Sequence, residues 1–212
     1  MKLTELQLDV LGEFANMGLG AAAASLSEMV HDEVVLAVPK VEFVPRADIV
    51  NRLGISPDKI LKGVEQKFQG DLRGNALLLF PDGHSLNLVR MLLSKSGLSD
   101  TEYLNELEEE ALLEVGNIIL NATLSVFADT LEIELNTGLP SRVEGHGLGV
   151  MDTIFNIGGD AAGSEVLLIG IDFSVHEQPV TGFVALLLEV GSDEKLGDRV
   201  NHYIEEKLGI TP

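Results

Sequence analysis

Apolar residues return every three or four positions across residues 4 to about 30 and again across 99 to about 131, the period of a helix with one buried side, so two long helices are expected. Thr4 and Gln7 have capping-box spacing at the start of the first, and Leu3 is placed to staple onto Leu8. Ser99 and Glu102 give the second helix the same start. On the first helix Leu8, Leu11, Ala15, Ala22 and Leu26 fall on the inward stripe, while Asp9, Glu13, Asn16 and Gly20 gather on the other side. On the second, Leu112, Ile119, Leu120 and Phe127 point inward, opposite Glu110, Glu114 and Asn117.

Between and after these helices the period drops to two. Residues 33–44 form a β-branched run broken by Pro39, which cannot donate to a central ladder and therefore marks an edge, a bulge or a break between strands. A short helix and loop at 46–61, with Ser56-Pro57-Asp58 as its turn, leads to a hairpin of strands at 63–70 and 71–80. Pro81-Asp82-Gly83 then precedes a helix at about 85–96. The second half runs in the same order: strands at about 132–136 and 140–144, a glycine-rich irregular stretch at 145–163, strands at 165–175 and 180–190, and a helix at about 193–208. The expected architecture is α/β of the α+β kind, one domain over 1–212. Two pseudo-symmetric repeats, about 1–98 and 99–212, would share a mixed β-sheet with the two long motif-bearing helices packed on it.

The polar trio on the first helix has the spacing i, i+4, i+7, which stacks two carboxylates and an amide in one line. By itself such a trio is the solvated side of an amphipathic helix. Its recurrence is not explained that way: Glu110, Glu114 and Asn117 repeat the spacing 101 positions later, and Pro140 follows Asn117 by the same 23 positions that separate Pro39 from Asn16.

At these residues the chain resembles the CheC/CheX/FliY family of chemotaxis phosphatases, whose pattern is Asp or Ser, three residues, Glu, two residues, Asn, then 22 residues and Pro. Asp9, Glu13, Asn16 and Pro39 match it fully; Glu114, Asn117 and Pro140 match all but the leading position, which is Glu110. Two motifs on one chain resemble the CheC-like members, whereas CheX-like members carry one and FliY-like members add a motor domain for which 212 residues leave no room. The resemblance implies a phosphatase acting on the aspartyl phosphate of a CheY-type response regulator. Asn16 and Asn117 would position the attacking water, and Glu13 and Glu114 would pair with the regulator's own Lys. Asp9, Glu110, Pro39 and Pro140 would support the motif. It further implies no cofactor on this chain, a divalent cation (Mg) on the regulator, and the receptor deamidase CheD as a possible second partner. The alternative it leaves open is a non-catalytic adaptor for CheD or the regulator; a flagellar-switch component is a third.

Composition narrows the rest. With 14 basic against 34 acidic residues the net charge is −20, a surface that repels nucleic-acid backbones and anionic lipid and favours basic partners or, alternatively, reflects a salt-rich habitat. The absence of Cys removes disulfides, thiol nucleophiles and Cys-based metal sites. No secretory leader and no apolar run near 18 residues is evident, so a soluble cytoplasmic protein is expected. Gly145 to Gly149 lacks the strand-then-helix setting of a nucleotide loop, and His31, His84, His146, His176 and His202 lack metal-ligand spacing. Asn121, in the formal sequon Asn121-Ala122-Thr123, lies mid-helix and is inert as a glycan acceptor.

Overall fold

The computed structural model describes residues 3–45, 48–52, 60–80, 84–93, 104–146, 165–175, 178–189 and 191–210. The elements run α1 (Glu5–Val30), β1 (Val34–Ala37), β2 (Val41–Pro45), α2 (Ile49–Arg52), β3 (Ile60–Gly70), β4 (Gly74–Phe80) and α3 (His84–Leu93), then α4 (Leu104–Leu131), β5 (Leu135–Thr137), β6 (Ser141–His146), β7 (Glu165–Val175), β8 (Gln178–Leu188) and α5 (Ser192–Tyr203), closed by a π-helical turn, Ile204–Leu208. The expected turns at 56–58 and 81–83, the Ser99 cap, and the glycine-rich stretch beyond His146 lie outside the described residues. Gly145 and His146 themselves belong to β6.

α1 starts where its capping box puts it. The Thr4 N–H donates to Gln7 Oε1 at 2.7 Å, and the Gln7 N–H donates to Thr4 Oγ1 at 3.3 Å. Both long helices end by one device. His31 turns left-handed at φ 53° and Glu132 at φ 52°, and the next N–H, of Asp32 and of Ile133, returns to Ser27 O and Ala128 O. This cap uses up residues 132–134, so β5 begins later than the sequence pattern suggests.

The sheet has the order β1-β7-β8-β4-β3-β5, with β2 also on β7 and β6 also on β3. Every pair is antiparallel, which corrects the mixed sheet expected from the sequence. The physical reason is that β3–β4 and β7–β8 are hairpins joined by connections too short for the crossover that parallel neighbours need. The break at Pro39 divides β1 from β2, and both halves of that broken strand pair with β7; β5 and β6 likewise divide around Pro140 and both pair with β3.

α1 and α4 lie together on one face of this sheet. Leu11, Phe14, Leu19 and Leu26 of α1 and Leu112, Val115, Ile119 and Leu120 of α4 share a core with Val64, Leu78, Phe173 and Leu186 of the strands. The buried stripe of α1 is wider than its period suggests, taking in Gln7, Val10, Phe14 and Leu19, while Leu8 is only half-buried at the edge of the polar face. At the helix crossing, a Cβ on Gly18 would lie 2.8 Å from the Thr123 Cα, so the backbones can meet this closely only with glycine there. Glu109–Leu131, although it holds no unbroken apolar run of about 18 residues, passes for a membrane span by length and composition. Its apolar side is the core just described, and that accounts for its hydropathy. A smaller cluster, with Leu61, Leu77, Leu79 and Leu168, covers the other face of the sheet.

Candidate functional site

The spacing of the first motif becomes a surface in α1: Asp9, Glu13 and Asn16 are all exposed. Beside them the β1–β2 connection brings Pro39 and Lys40 into the same groove of about 430 Å³, floored by Leu8, Val10, Gly12 and Val41. Pro39, exposed, cannot donate a hydrogen bond, so β1 and β2 part there; the Gly170 N–H of β7 donates to Lys40 O at 2.8 Å and pins the far side of the break. Lys40 is held by an ion pair with Glu42, which also lies 3.5 Å from Arg52 Nη1. Among the described residues no hydrogen bond or ion pair is recorded for the side chains of Asp9, Glu13 or Asn16. They present two carboxylates and an exposed amide to whatever enters.

The second motif is arranged differently. Glu110 and Glu114 are exposed on α4, but Asn117 is half-buried and bonded, where an exposed position matching that of Asn16 was expected. Asn121 Nδ2 donates to Asn117 Oδ1 at 2.7 Å. Asn121 Oδ1 in turn accepts from Gln66 Nε2 at 3.1 Å and from Thr137 Oγ1 at 3.0 Å, and Gln66 Nε2 donates to Gly138 O at 2.9 Å. α4 comes near enough for this because Gly116 has no side chain: a Cβ there would lie 2.6 Å from Val64 Cβ. Pro140 is half-buried, next to Leu139, which is 92% exposed. Arg142 on β6 forms an ion pair with Glu109 at the N-terminal end of this face.

Register shows what stands in place of the amide chain at the first motif. Leu36 pairs with Phe173 on β7 as Thr137 pairs with Phe68 on β3, so Ile171 occupies the position of Gln66, Leu36 that of Thr137, and Gly20 that of Asn121. Beyond Gly20 there is open space. Sequence reading passed over Gln66, Asn121 and Thr137, as well as Lys40. Asn121 had a legible signal, being one helical turn from Asn117, and Lys40 directly follows Pro39; Gln66 and Thr137 come from distant strands and had none.

One more buried polar residue lies below the second face. Glu65, on the sheet surface turned away from the helices, is flanked by Leu77 and Ser141 and leaves Oε1 without a hydrogen-bond partner. Burial pushes its carboxyl above the ordinary glutamate range, and Lys67 pulls partly back. Among the described residues no group of three or more His, Cys, Asp or Glu side chains could hold a metal ion.

The model of the CheC-like family matches residues 6–42, the segment that carries Asp9, Glu13, Asn16 and Pro39. The CheY-P phosphatase CheC of Bacillus subtilis is 23% identical over 197 residues, which cover 92% of this chain and 93% of that protein. The chain is thus similar to proteins of the CheC/FliY family. Its fold matches the crystal structure of Thermotoga maritima FliY with a TM-score of 0.70 at 22% identity, over 98% of this chain and 100% of that one. It also matches a chain in the CheX–CheY–BeF3–Mg complex of Borrelia burgdorferi, with a TM-score of 0.50 at 18% identity, over 81% and 95%. The segment that the CheC-like family model matches is the one that lines the first groove.

Proposed function

We propose that the protein accelerates hydrolysis of the aspartyl phosphate on a CheY-type response regulator, with Glu13 and Asn16 acting at one face and Glu114 and Asn117 at the other. The observation that carries this reading is the first groove, in which an exposed carboxylate and an exposed amide share a recess with Pro39 inside the segment matched by the family model. The name of the Bacillus subtilis relative supports the reaction, and the solved CheX–CheY complex supports the class of partner.

The chemistry asks little of this chain. Hydrolysis of an acyl phosphate proceeds by in-line attack of water, and a Lys and divalent cation on the regulator would neutralise the phosphoryl oxygens. What remains is placement of the water. An amide can accept from it and donate beside it without changing protonation state, and it gains rate by fixing direction and distance. Glu13 and Glu114 dock against the regulator's Lys and set each helix across its active site; Asp9 and Glu110, one turn back, line the approach. The same reading treats residues 1–212 as one domain of two related halves, working in the cytoplasm where its partner is phosphorylated.

The decisive measurement is the decay of phosphorylated CheY-type regulator with and without purified protein. Acceleration is expected; tight binding of regulator or CheD with unchanged decay would instead make the protein an adaptor. Replacing Glu13 and Glu114 by Lys sets like charges against each other and should weaken binding to phosphorylated regulator in calorimetry. Equal affinity would remove the docking role.

A further inference from the structure

We infer that Asn121 is a positioning residue for the second motif, holding Asn117 in a single orientation through an amide chain anchored on a backbone carbonyl. The inference rests on the function proposed above, because it concerns how Asn117 meets the attacking water.

An Asn or Gln side chain can be turned by half a rotation, exchanging its oxygen and nitrogen ends, so an amide pair by itself has no fixed sense. Here the sense is set from outside the pair. Gly138 O can only accept, so the group facing it at 2.9 Å must be the Gln66 NH2. The same NH2 reaches Asn121 at 3.1 Å, which must therefore present its oxygen, and Thr137 Oγ1 donates to that oxygen at 3.0 Å. With its oxygen committed inward, Asn121 offers its NH2 to Asn117 at 2.7 Å, and Asn117 must present Oδ1. Gln66 is 1% exposed and leaves its own Oε1 unpartnered, so an unsatisfied buried acceptor is tolerated to keep this sense.

A carbonyl oxygen has two lone pairs. Asn121 takes one, leaving the second lone pair and the Asn117 NH2 in fixed directions at the half-exposed surface. Water that engages this amide meets a group whose rotation is already arrested. Asn16 must be arrested at each encounter, since Gly20, Ile171 and Leu36 stand where Asn121, Gln66 and Thr137 stand on the other face. Fixing a reacting group in advance lowers the entropy lost on the way to the transition state, an effect expected in kcat and not in KM.

The variant that isolates the effect is Asn121→Asp. It keeps the shape and the oxygen that accepts from Gln66 and Thr137, but it has no N–H for Asn117 Oδ1, so Asn117 must turn half a rotation, give its NH2 to the carboxylate and face the water in the wrong sense. In an Asn16→Ala background, where only the second face works, Asn121→Asp should lower kcat for dephosphorylation by roughly tenfold, the size of one hydrogen bond, with KM unchanged. In an Asn117→Ala background, where only the first face works, it should change neither constant. Equal losses in both backgrounds, or no loss in the first, would overturn the inference. Side-chain amide relaxation by NMR tests the restraint without any activity: Asn117 should be rigid and Asn16 mobile in the parent, and Asn117 should become mobile in Asn121→Ala. Equal mobility of the two in the parent would refute the restraint. Should the parent not accelerate decay at all, the proposed function falls, and the relaxation result alone decides whether Asn121 holds Asn117.

Discussion

The two motif faces have the same three-residue spacing on equally long helices, yet they solve different problems. On α1 the polar trio is exposed beside a groove, and among the described residues nothing is bonded to its amide. On α4 the amide is half-buried and tied through Asn121 to two strands. The difference comes from neighbours outside the motif: Gly20, Leu36 and Ile171 around one face, Asn121, Thr137 and Gln66 around the other. A short pattern on a helix thus specifies which groups are offered, while the register of the sheet beneath specifies how tightly they are held. The amide of one face stands clear of such bonds, and that of the other is oriented by its neighbours.

The largest effect expected is on rate. Asn16→Ala combined with Asn117→Ala should reduce acceleration of regulator dephosphorylation by roughly a hundredfold or more while leaving its binding largely intact, because the Glu residues remain. Parent-like decay from the double variant would end the water-positioning account of both faces. Of the single variants, Asn117→Ala should cost more activity than Asn16→Ala; the reverse order would show that restraint by Asn121 does not favour the reaction.

A second test acts on the spacing between helix and sheet. Gly116→Ala places a methyl 2.6 Å from Val64, so α4 must lift from β3 and destabilise the fold by about 1–3 kcal/mol. The corresponding position on α1 is Ala15, fully buried with its methyl accommodated. Chemical denaturation of Gly116→Ala that matched the parent would show that the closeness of α4 to β3 is not needed.

Smaller, and aimed at the same contrast, is the stability cost of each amide. Asn117→Ala strands the Asn121 N–H and should cost about 1 kcal/mol, whereas Asn16→Ala should stay within about 0.5 kcal/mol. Equal costs in denaturation would contradict the distinction between a held and a free amide.

The smallest effect concerns pH. Glu65 has Gly170 as its counterpart in the register on β7, so this buried carboxyl is found under the second face and not under the first. Its folded pKa is raised by burial, which means the native state holds the proton more tightly than the unfolded chain. Stability should therefore fall as pH rises from the ordinary glutamate value of 4.5 through the raised one, and level off above it. Glu65→Gln should flatten that slope; an unchanged slope in denaturation midpoints would place the effect in other groups.

Much of this architecture was readable in the chain because it depends on local signals. The Thr4–Gln7 box starts α1, Pro39 breaks the following strand, and the alternation of residues 165–175 and the apolar run near 184–188 mark the second hairpin. The motif residues of α1 were legible for the same reason, since helical period alone places Asp9, Glu13 and Asn16 on the polar side. Strand pairing was not legible, because short runs of similar β propensity do not specify their neighbours, and the sheet proved wholly antiparallel. The half-burial of Asn117 was missed for a related reason: its partners Gln66 and Thr137 arrive through that pairing.

The exchange of edge strands has a consequence for how the protein is made. β1 and β2 complete their hydrogen bonds only on β7, and the Lys40 carbonyl waits for the Gly170 N–H. A nascent chain therefore carries α1 and Pro39 for on the order of ten seconds, at ordinary synthesis rates, before the strand that pairs with β1 and β2 has emerged. The second face has the opposite history, since β3 is already waiting when β5 and β6 appear. On the ribosome, the motif that comes first in the message is the one whose surroundings are finished last, and protease cleavage near Lys40 in stalled chains should persist until β7 is out.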